Sequence, residues 1–409
     1  MRRIAVTGMG IVSPLGNTPE LFFANLMAGK SGIRRLQADF TDQLEVKIAA
    51  QADFDPLQFF TRHKASGLDR VSHFALHAAN QAIADAQLDL TQADKSRIGV
   101  YLGTGMAGAA SIEEGYVRLY RDNADRLKPF TVLMAMNCAA GSQISLTHGL
   151  SGPNLTYSTA CSSSSVAIGE AFRQIRHGYA DVMLAGGSEA LLTYGTIRAW
   201  EALRTLAKED PSDPGASCKP FSLDRTGLVL GEGAGIVVLE DWERAQARGA
   251  KIYAELTGYG CANDCTHITA PTIEGQATVM RAALASSTLR PEDIGYINAH
   301  GTATVLNDAI ETAAIKAVFG AHATKLAVSS TKSMHGHLMG ASGAVEFIAA
   351  VKALEQQAVP PTINLKTPDP ACDLDYVPNL GRSNVMLRHV MSSSFAFGGT
   401  GAVLIASKV

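Results

Sequence analysis

The chain has 409 residues, of which 46% are hydrophobic and 18% are charged, and its formal net charge is −3. A chain of this length exceeds one simple core, so two domains or one duplicated domain are expected. The small negative charge provides no overall basic field, which disfavours nucleic acid or an anionic membrane as the main partner.

The N-terminus and the cysteines indicate the compartment. The segment MRRIAVTGMG places two arginines before an apolar stretch, as a signal peptide does, but Thr7, Gly8 and Gly10 interrupt that stretch. No apolar run elsewhere reaches the length of a membrane span. The six cysteines are few and dispersed, which is typical of a reduced protein. A cytoplasmic protein is therefore predicted.

Strand and helix patterns alternate along the first half of the chain, which predicts an α/β protein with buried parallel strands. The strand candidates end in glycine turns, and the helix candidates between them have apolar residues at helical spacing. In chain order the candidates are a strand at 2–14, a helix at 73–88, a strand at 97–105, a helix at 162–178 and strands at 181–190 and 232–241.

The second half of the chain resembles the first. Residues 284–302 repeat the pattern of residues 84–105, which is a helix, a short polar link and a strand followed by glycine. Residues 326–333 (LAVSSTKS) align with residues 155–162 (LTYSTACS). The two matches occur in the same order, which favours an internal duplication.

Cys161 follows a short strand pattern and precedes a helix that opens with four serines. A thiol at a helix N-terminus faces unpaired backbone N–H groups and the positive end of the helix dipole, so its pKa is expected to fall. Small neighbours would admit a substrate carbonyl, and nearby amides would stabilise an oxyanion. A buried, inert cysteine is the alternative interpretation.

Two further segments place histidines after strand patterns. His300 ends the first, in INAHGTAT, while Lys332, His335 and His337 lie in STKSMHGHLMG, before a helix rich in glycine and alanine. A single histidine at a strand end is more often structural than catalytic. Together with a candidate nucleophile at the end of a third strand, these histidines favour a catalytic site, because α/β proteins place sites at the carboxyl ends of strands.

Four motifs in order, TACSSSS, HGTAT, STKSMHGHLMGASGA and SSSFAFGGTGA, resemble those of the β-ketoacyl-acyl carrier protein synthases of the type II elongating branch. The resemblance covers essentially the whole chain. It implies the thiolase fold, in which two βαβαβαββ halves form a five-layered αβαβα structure. Residues 1–247 would form the half with the nucleophile, and residues 248–409 the half with the two histidines.

The resemblance also implies the roles of residues. Cys161 would accept an acyl chain as a thioester, and His300 and His337 would complete a Cys-His-His site for decarboxylative condensation with a malonyl thioester. Lys332 would lie near the second histidine with Glu311 as its carboxylate partner. His335 stands where the family often has threonine and is expected to be a neighbour rather than a catalyst.

Further residues are assigned to the substrate by the same resemblance. The resemblance implies three groups: contacts of the phosphopantetheine arm, the gate of the acyl pocket with its mobile loop, and residues that line the pocket. These residues are Thr302 and Thr304 for the arm, Phe397, Gly398 and Gly399 for the gate, and Phe395, Thr269 and Met106 for the lining.

The implied reaction needs no cofactor beyond pantetheine carried by an acyl carrier protein, and no metal. The cysteines and histidine of CANDCTHITAP lack the spacing of a metal site. The glycine-rich segments GTGMAG and GEGAG lack the lysine or acidic residue of a nucleotide site.

Three departures from the family pattern concern the partner. Val305 replaces a frequent proline, Ala396 replaces a usual glycine, and the segment around Ser66 lacks the usual carrier-docking residues. A carrier protein of a polyene or other secondary-metabolite pathway is one hypothesis, alongside fatty acid elongation. A homodimer, or a heterodimer with a chain-length-factor subunit, is expected. The alternative is that this chain is itself a non-catalytic subunit of that kind, although such subunits typically lose the cysteine.

Overall fold

The computed structural model describes residues 1–409, which form fourteen strands and thirteen α-helices. The strands are β1 (Ile4–Val12), β2 (Arg34–Arg35), β3 (Ile48–Ala49), β4 (Ile98–Gly103), β5 (Asn154–Tyr157), β6 (Val182–Glu189), β7 (Gly233–Asp241), β8 (Ala254–Asn263), β9 (Tyr296–Asn298), β10 (Ala327–Ser329), β11 (Ala358–Val359), β12 (Arg382–Ser383), β13 (His389–Phe395) and β14 (Thr400–Ser407). The helices are α1 (Pro19–Met27), α2 (Arg62–Ser66), α3 (Arg70–Asp85), α4 (Ala109–Tyr116), α5 (Thr131–Ala135), α6 (Ala139–His148), α7 (Ser163–Arg176), α8 (Tyr194–Leu203), α9 (Trp242–Ala247), α10 (Ile273–Ser287), α11 (Val305–Phe319), α12 (Lys332–His335) and α13 (Ser342–Gln356).

The main strands follow one order twice. The first five run β5-β4-β6-β7-β1 across the sheet, and the second five run β10-β9-β13-β14-β8. In each set the first three strands are parallel and the last two join antiparallel. A short pairing of β1 with β8 connects the sets. The predicted duplication is confirmed, and the chain crosses between its halves in the interval from α9 to β8.

The duplication places Lys332 where the first half has Cys161. Cys161 follows β5, and Lys332 follows β10, the equivalent edge strand. The two halves therefore present different chemistry from matching positions.

Two buried helices, α7 and α13, form the layer between the two sets of strands. Helix α13 packs against β7 and β13, one strand of each half, and α7 packs against β6 and β14 in the same way. Thirteen of the fifteen residues of α13 are buried, as expected for a helix that is apolar on all sides. Helices α3 and α6 cover the outer face of the first set, and α10 covers that of the second, so the predicted five layers are confirmed.

The serines after Cys161 allow α7 and α13 to approach closely. The Ser164 hydroxyl accepts the Ala344 N–H at 2.9 Å, and the Ser165 hydroxyl bonds that of Ser394 at 2.9 Å. A Cβ atom on Gly343 would lie 2.0 Å from Ser165 Oγ. Small residues on both helices thus bring the start of α7, and with it Cys161, to the centre of the molecule.

None of the thirteen helices combines the length and the apolar character that crossing a lipid bilayer requires.

Candidate active site

Cys161 lies in a tight turn, residues 160–162, between β5 and α7. The residue before it, Ala160, has a φ of +48°, a strained conformation for a side chain with a Cβ atom. The Cys161 side chain is buried and lines the end of a cavity. The turn therefore places the thiol at the buried end of the cavity, against a cluster of apolar side chains.

The expected lowering of the Cys161 pKa is wrong. Burial raises the pKa of this thiol to about 11, against which the Lys332 charge and a hydrogen bond from the Phe397 backbone N–H act in the lowering direction. The sequence placed the thiol correctly at a helix start, but it did not show how completely the core removes the sulfur from water.

The side chains of Glu311 and Lys332 hold His300 through hydrogen bonds to its backbone. The Glu311 carboxylate accepts the N–H of His300 at 2.7 Å and that of Gly301 at 2.8 Å. The Lys332 ammonium donates to the His300 carbonyl at 2.7 Å and lies 3.4 Å from Nδ1 of its ring. Because an ammonium only donates, Nδ1 is the acceptor and the ring proton is on Nε2.

The hydrogen bonds of His337 define its tautomer. Its Nδ1 accepts the Met339 backbone N–H at 3.1 Å and lies 2.8 Å from the Ser342 hydroxyl. Nδ1 is therefore unprotonated in the neutral ring, so the proton is on Nε2. Nε2 is buried and has no hydrogen-bond partner in the protein, and the residue lines the cavity. This N–H is free to donate to a substrate.

The structure brings the three predicted residues together. Ligand-forming atoms of Cys161, His300 and His337 all lie within 4.8 Å of one another, and the two imidazole rings are nearly perpendicular with centroids 5.6 Å apart. Burial, reinforced by the Lys332 charge, lowers the pKa of both histidines well below its ordinary value. Both rings are therefore neutral hydrogen-bond donors at neutral pH.

The predicted partner of Lys332 is wrong. The fully buried ammonium pairs with Glu346 of α13, whereas Glu311 binds the two backbone amides at His300. Burial raises the pKa of both Glu311 and Glu346 to about 7. Glu346 was not identified from the sequence, because α13 also contains Lys352 and Glu355 and only packing shows which charged residue meets Lys332.

His335 does not line the cavity. Its Nδ1 donates to the Gly336 carbonyl at 2.8 Å, and its Nε2 accepts the Thr331 hydroxyl at 2.9 Å. The side chain is fully buried, and burial lowers the pKa to about 3. This residue is thus a neighbour of the site, in agreement with its departure from the family pattern.

Most residues assigned to the substrate line a cavity of about 260 Å³ that leads to Cys161. They comprise the hydroxyl pair Thr302 and Thr304, whose oxygens are 2.9 Å apart, together with Thr269, Phe395 and Phe397. Arg204 and the segment 226–228 also line the cavity and were not assigned to it from the sequence.

Met106 does not line the cavity, which corrects the assignment made for it. Its side chain is 55% exposed on the surface of the chain.

The two predicted gate glycines, Gly398 and Gly399, have φ values of +87° and +86°. A Cβ atom on Gly399 would lie 2.1 Å from the Asp264 carbonyl oxygen, so this position requires glycine.

A cysteine and two histidines are also ligand types found at zinc sites. Here the Lys332 ammonium lies beside His300 Nδ1, and burial raises the pKa of the Cys161 thiol to about 11. Both features oppose the binding of a divalent cation, because coordination requires a thiolate and the neighbouring positive charge repels the metal. The absence of a metal from the reaction stays a prediction.

A five-layered α/β fold with a buried cysteine and two neutral histidines at the end of one cavity defines an acyl-transferring condensing enzyme of the thiolase type. The model of the beta-ketoacyl synthase N-terminal domain matches residues 1–245, and that of the C-terminal domain matches residues 253–366. The chain belongs to the β-ketoacyl synthase family.

Known proteins resemble it over its whole length. A 3-oxoacyl-[acyl-carrier-protein] synthase 2 of Synechocystis is 44% identical, and the match covers 100% of this chain and 98% of the relative. A type II PKS acyl-carrier protein in complex with its ketosynthase bound to the hexaketide (AntDE:AntF) gives a TM-score of 0.92 at 36% identity, covering 100% and 99% of the two chains. The ishigamide ketosynthase/chain length factor gives 0.92 at 33% identity, with the same coverage.

Proposed function

We propose that Cys161 carries the growing acyl chain and that His300 and His337 stabilise the enolate formed from a malonyl thioester. The observation that carries this assignment is the convergence of the three side chains within 4.8 Å at the end of one cavity. These three residues are therefore the ones to which the condensing activity of the family is assigned in this chain.

In the first half-reaction the Cys161 sulfur attacks the carbonyl of an acyl thioester. A new carbon–sulfur bond forms, the bond to the pantetheine sulfur breaks, and the thiol proton leaves with the pantetheine thiol. Phe397 lines the cavity beside Cys161, and its backbone N–H would stabilise the tetrahedral oxyanion.

In the second half-reaction a malonyl thioester loses CO2, and the electron pair becomes an enolate. The two Nε2–H groups would donate to its oxygen, which requires neutral imidazoles such as those found here. The enolate carbon attacks the acyl-Cys161 carbonyl, a carbon–carbon bond forms, and the Cys161 thiolate leaves and takes up one proton. The product is a 3-oxoacyl thioester on the donor of the malonyl group.

Lys332 and Glu311 act as positioning residues in this proposal. The Lys332 ammonium keeps His300 Nδ1 as an acceptor, so the ring proton stays on Nε2, while Glu311 fixes the backbone of His300 and Gly301. Neither is among the residues that line the cavity. No resident cofactor is needed, because the imidazoles supply the enolate stabilisation.

The substrates would arrive on the phosphopantetheine arm of an acyl carrier protein, with Thr302 and Thr304 as contacts of the arm. The similarity to a ketosynthase in complex with its acyl-carrier protein supports this proposal. The relatives include fatty acid and polyketide enzymes, so both pathways remain alternatives for this chain. A cytoplasmic location is supported by the six unpaired cysteines.

A dimer is part of the proposal, either of two copies or with a chain-length-factor subunit. Strand β5 is an uncovered edge of the sheet, whereas the opposite edge, β10, is bridged by Asp375. Leu155 of β5 is exposed, and other large apolar side chains of the first half are exposed as well, including Met106, Tyr116 and Val132. Such a surface is typical of a subunit interface.

Intact-mass measurement with acyl carrier thioesters tests the catalytic assignment. We expect one acyl adduct per chain, no adduct in Cys161→Ala, and condensation when malonyl carrier is added. A panel of saturated, unsaturated and aryl-capped acyl carriers would then distinguish the pathways. A chain that forms no adduct with any carrier would instead be a non-catalytic subunit.

A further inference from the structure

The mouth of the active-site cavity is apolar. Three aliphatic residues that line the cavity are also exposed, namely Ile268 at 71%, Val305 at 63% and Leu306 at 57%. Val305 and Leu306 begin α11, and Ile268 lies in the loop after β8. Together with Arg204 they are called the mouth surface below.

The mouth surface carries a single fixed charge. Arg204 is exposed and is the only lysine or arginine among the residues that line the cavity, and no aspartate or glutamate lines it. Lys64 of α2 lies outside this cavity, and its ammonium donates to the Thr147 hydroxyl at 2.9 Å. Exposed aliphatic side chains concentrated at one opening indicate a binding surface for a partner.

We propose that the mouth surface binds the carrier protein through apolar contacts to Ile268, Val305 and Leu306, with one carboxylate of the carrier facing Arg204. This inference rests on the proposed function, because a carrier that delivers a thioester to the buried Cys161 must sit over the cavity mouth. The partner that binds the mouth surface is a carrier protein whose own surface around the prosthetic arm is mainly apolar. It is not a carrier that is recognised through many acidic residues.

Kinetics with two forms of the same substrates test the proposal. Acyl and malonyl groups are supplied either on the carrier protein or as free pantetheine thioesters. The test variant is Val305→Ser/Leu306→Ser, which removes apolar contacts without adding charge and suits the start of a helix. The matched control is Leu380→Ser, which truncates an exposed leucine outside the cavity lining. Arg204→Gln measures the charged contact.

We expect the double variant to raise KM for carrier-borne substrates at least about tenfold, the effect of losing the burial of an aliphatic side chain. Its kcat/KM for pantetheine thioesters should fall by a clearly smaller factor, because both residues line the cavity that the pantetheine arm enters but only the carrier protein loses its docking contacts. Arg204→Gln should raise KM less than the double variant does. Raising NaCl should change wild-type KM only about twofold, because screening acts on one ion pair.

Equal KM values for the double variant and Leu380→Ser on carrier substrates would overturn the proposal. So would a larger effect of Arg204→Gln than of the double variant, or a steep dependence of KM on NaCl. Failure of the proposed function has a different signature, since wild type would then be inactive with pantetheine thioesters as well.

Discussion

At the scale of single residues, the proposed mechanism assigns Cys161 and the histidine pair to different half-reactions. Acyl transfer needs the sulfur and one oxyanion donor, whereas decarboxylation needs the two Nε2–H groups. The tautomer of His337, set by the Met339 N–H, suits only the second task. The two activities should therefore separate by mutation.

Replacement of His337 should leave acylation largely intact. In His337→Ala we expect the acyl adduct on Cys161 to form within about tenfold of the wild-type rate, while CO2 release from a malonyl thioester falls about a hundredfold or more, because one enolate donor is lost. Cys161→Ala should form no adduct. Intact mass and CO2 release measure the two steps. Equal loss of both in His337→Ala, with the fold retained by circular dichroism, contradicts this division.

The pKa of the Cys161 thiol, raised to about 11 by burial, predicts a pH dependence. Below that value the thiolate fraction rises tenfold per pH unit, so alkylation of Cys161 by iodoacetamide should accelerate about tenfold per unit between pH 7 and 9. The Cys161→Ala variant gives the background from the other five cysteines. A rate that is already constant above pH 7 would show that the helix dipole outweighs burial.

At the scale of elements, the approach of α7 to α13 fixes the position of Cys161. Gly343 and Ser165 are in such close contact that a methyl group on Gly343 meets the serine hydroxyl. The turn that contains Cys161, residues 160–162, directly precedes α7, and α12, which carries Lys332, precedes α13. The spacing of the two helices therefore controls the distance between the two halves of the site.

Gly343→Ala should lower the free energy of unfolding by about 1–3 kcal/mol, the usual cost of overpacking a core. Ser165→Ala removes the atom that the new methyl group meets, so the double variant should regain much of the loss. Denaturant unfolding of wild type, the two single variants and the double variant measures the coupling free energy between the two positions. Additive losses in the double variant would mean that the contact with Ser165 is not the cause.

The sequence predicted the elements well and their mutual packing less well. The internal duplication and the grouping of Cys161, His300 and His337 could be inferred, because these residues follow strand patterns and the carboxyl ends of parallel strands lie at one edge of a sheet. The partner of Lys332 could not, because Glu346 and Glu311 are both acidic residues in helices and only packing decides between them. The pKa of Cys161 depends on burial by both halves, which no local pattern records.

At the scale of the whole molecule, the sheet has one covered edge and one open edge. Leu155 of β5 is 51% exposed, and this strand pairs with β4 on one side only, so its outer side has no neighbouring strand. An open, apolar edge favours association with another chain. The proposed dimer would therefore form through the first half of the chain.

Charges on the exposed apolar surface of the first half should separate the subunits of the proposed dimer. We expect the wild-type protein to sediment as a dimer, and Val132→Asp/Leu155→Asp to sediment as a monomer at micromolar concentration, because burying a carboxylate in an apolar interface is strongly unfavourable. Analytical ultracentrifugation measures this, and Met386→Asp, at an exposed position in the second half, is the control. A dimer that survives the double change would place the interface elsewhere.

The central layer formed by α7 and α13 has a consequence for the synthesis of the protein on the ribosome. Helix α7 emerges early, but α13, which covers it, is completed only at residue 356. For the synthesis of nearly two hundred residues the nascent chain therefore presents an uncovered apolar surface, the kind of surface that chaperones bind. Cys161 is also synthesised well before His300 and His337, so a nascent chain shorter than 337 residues lacks part of the candidate site.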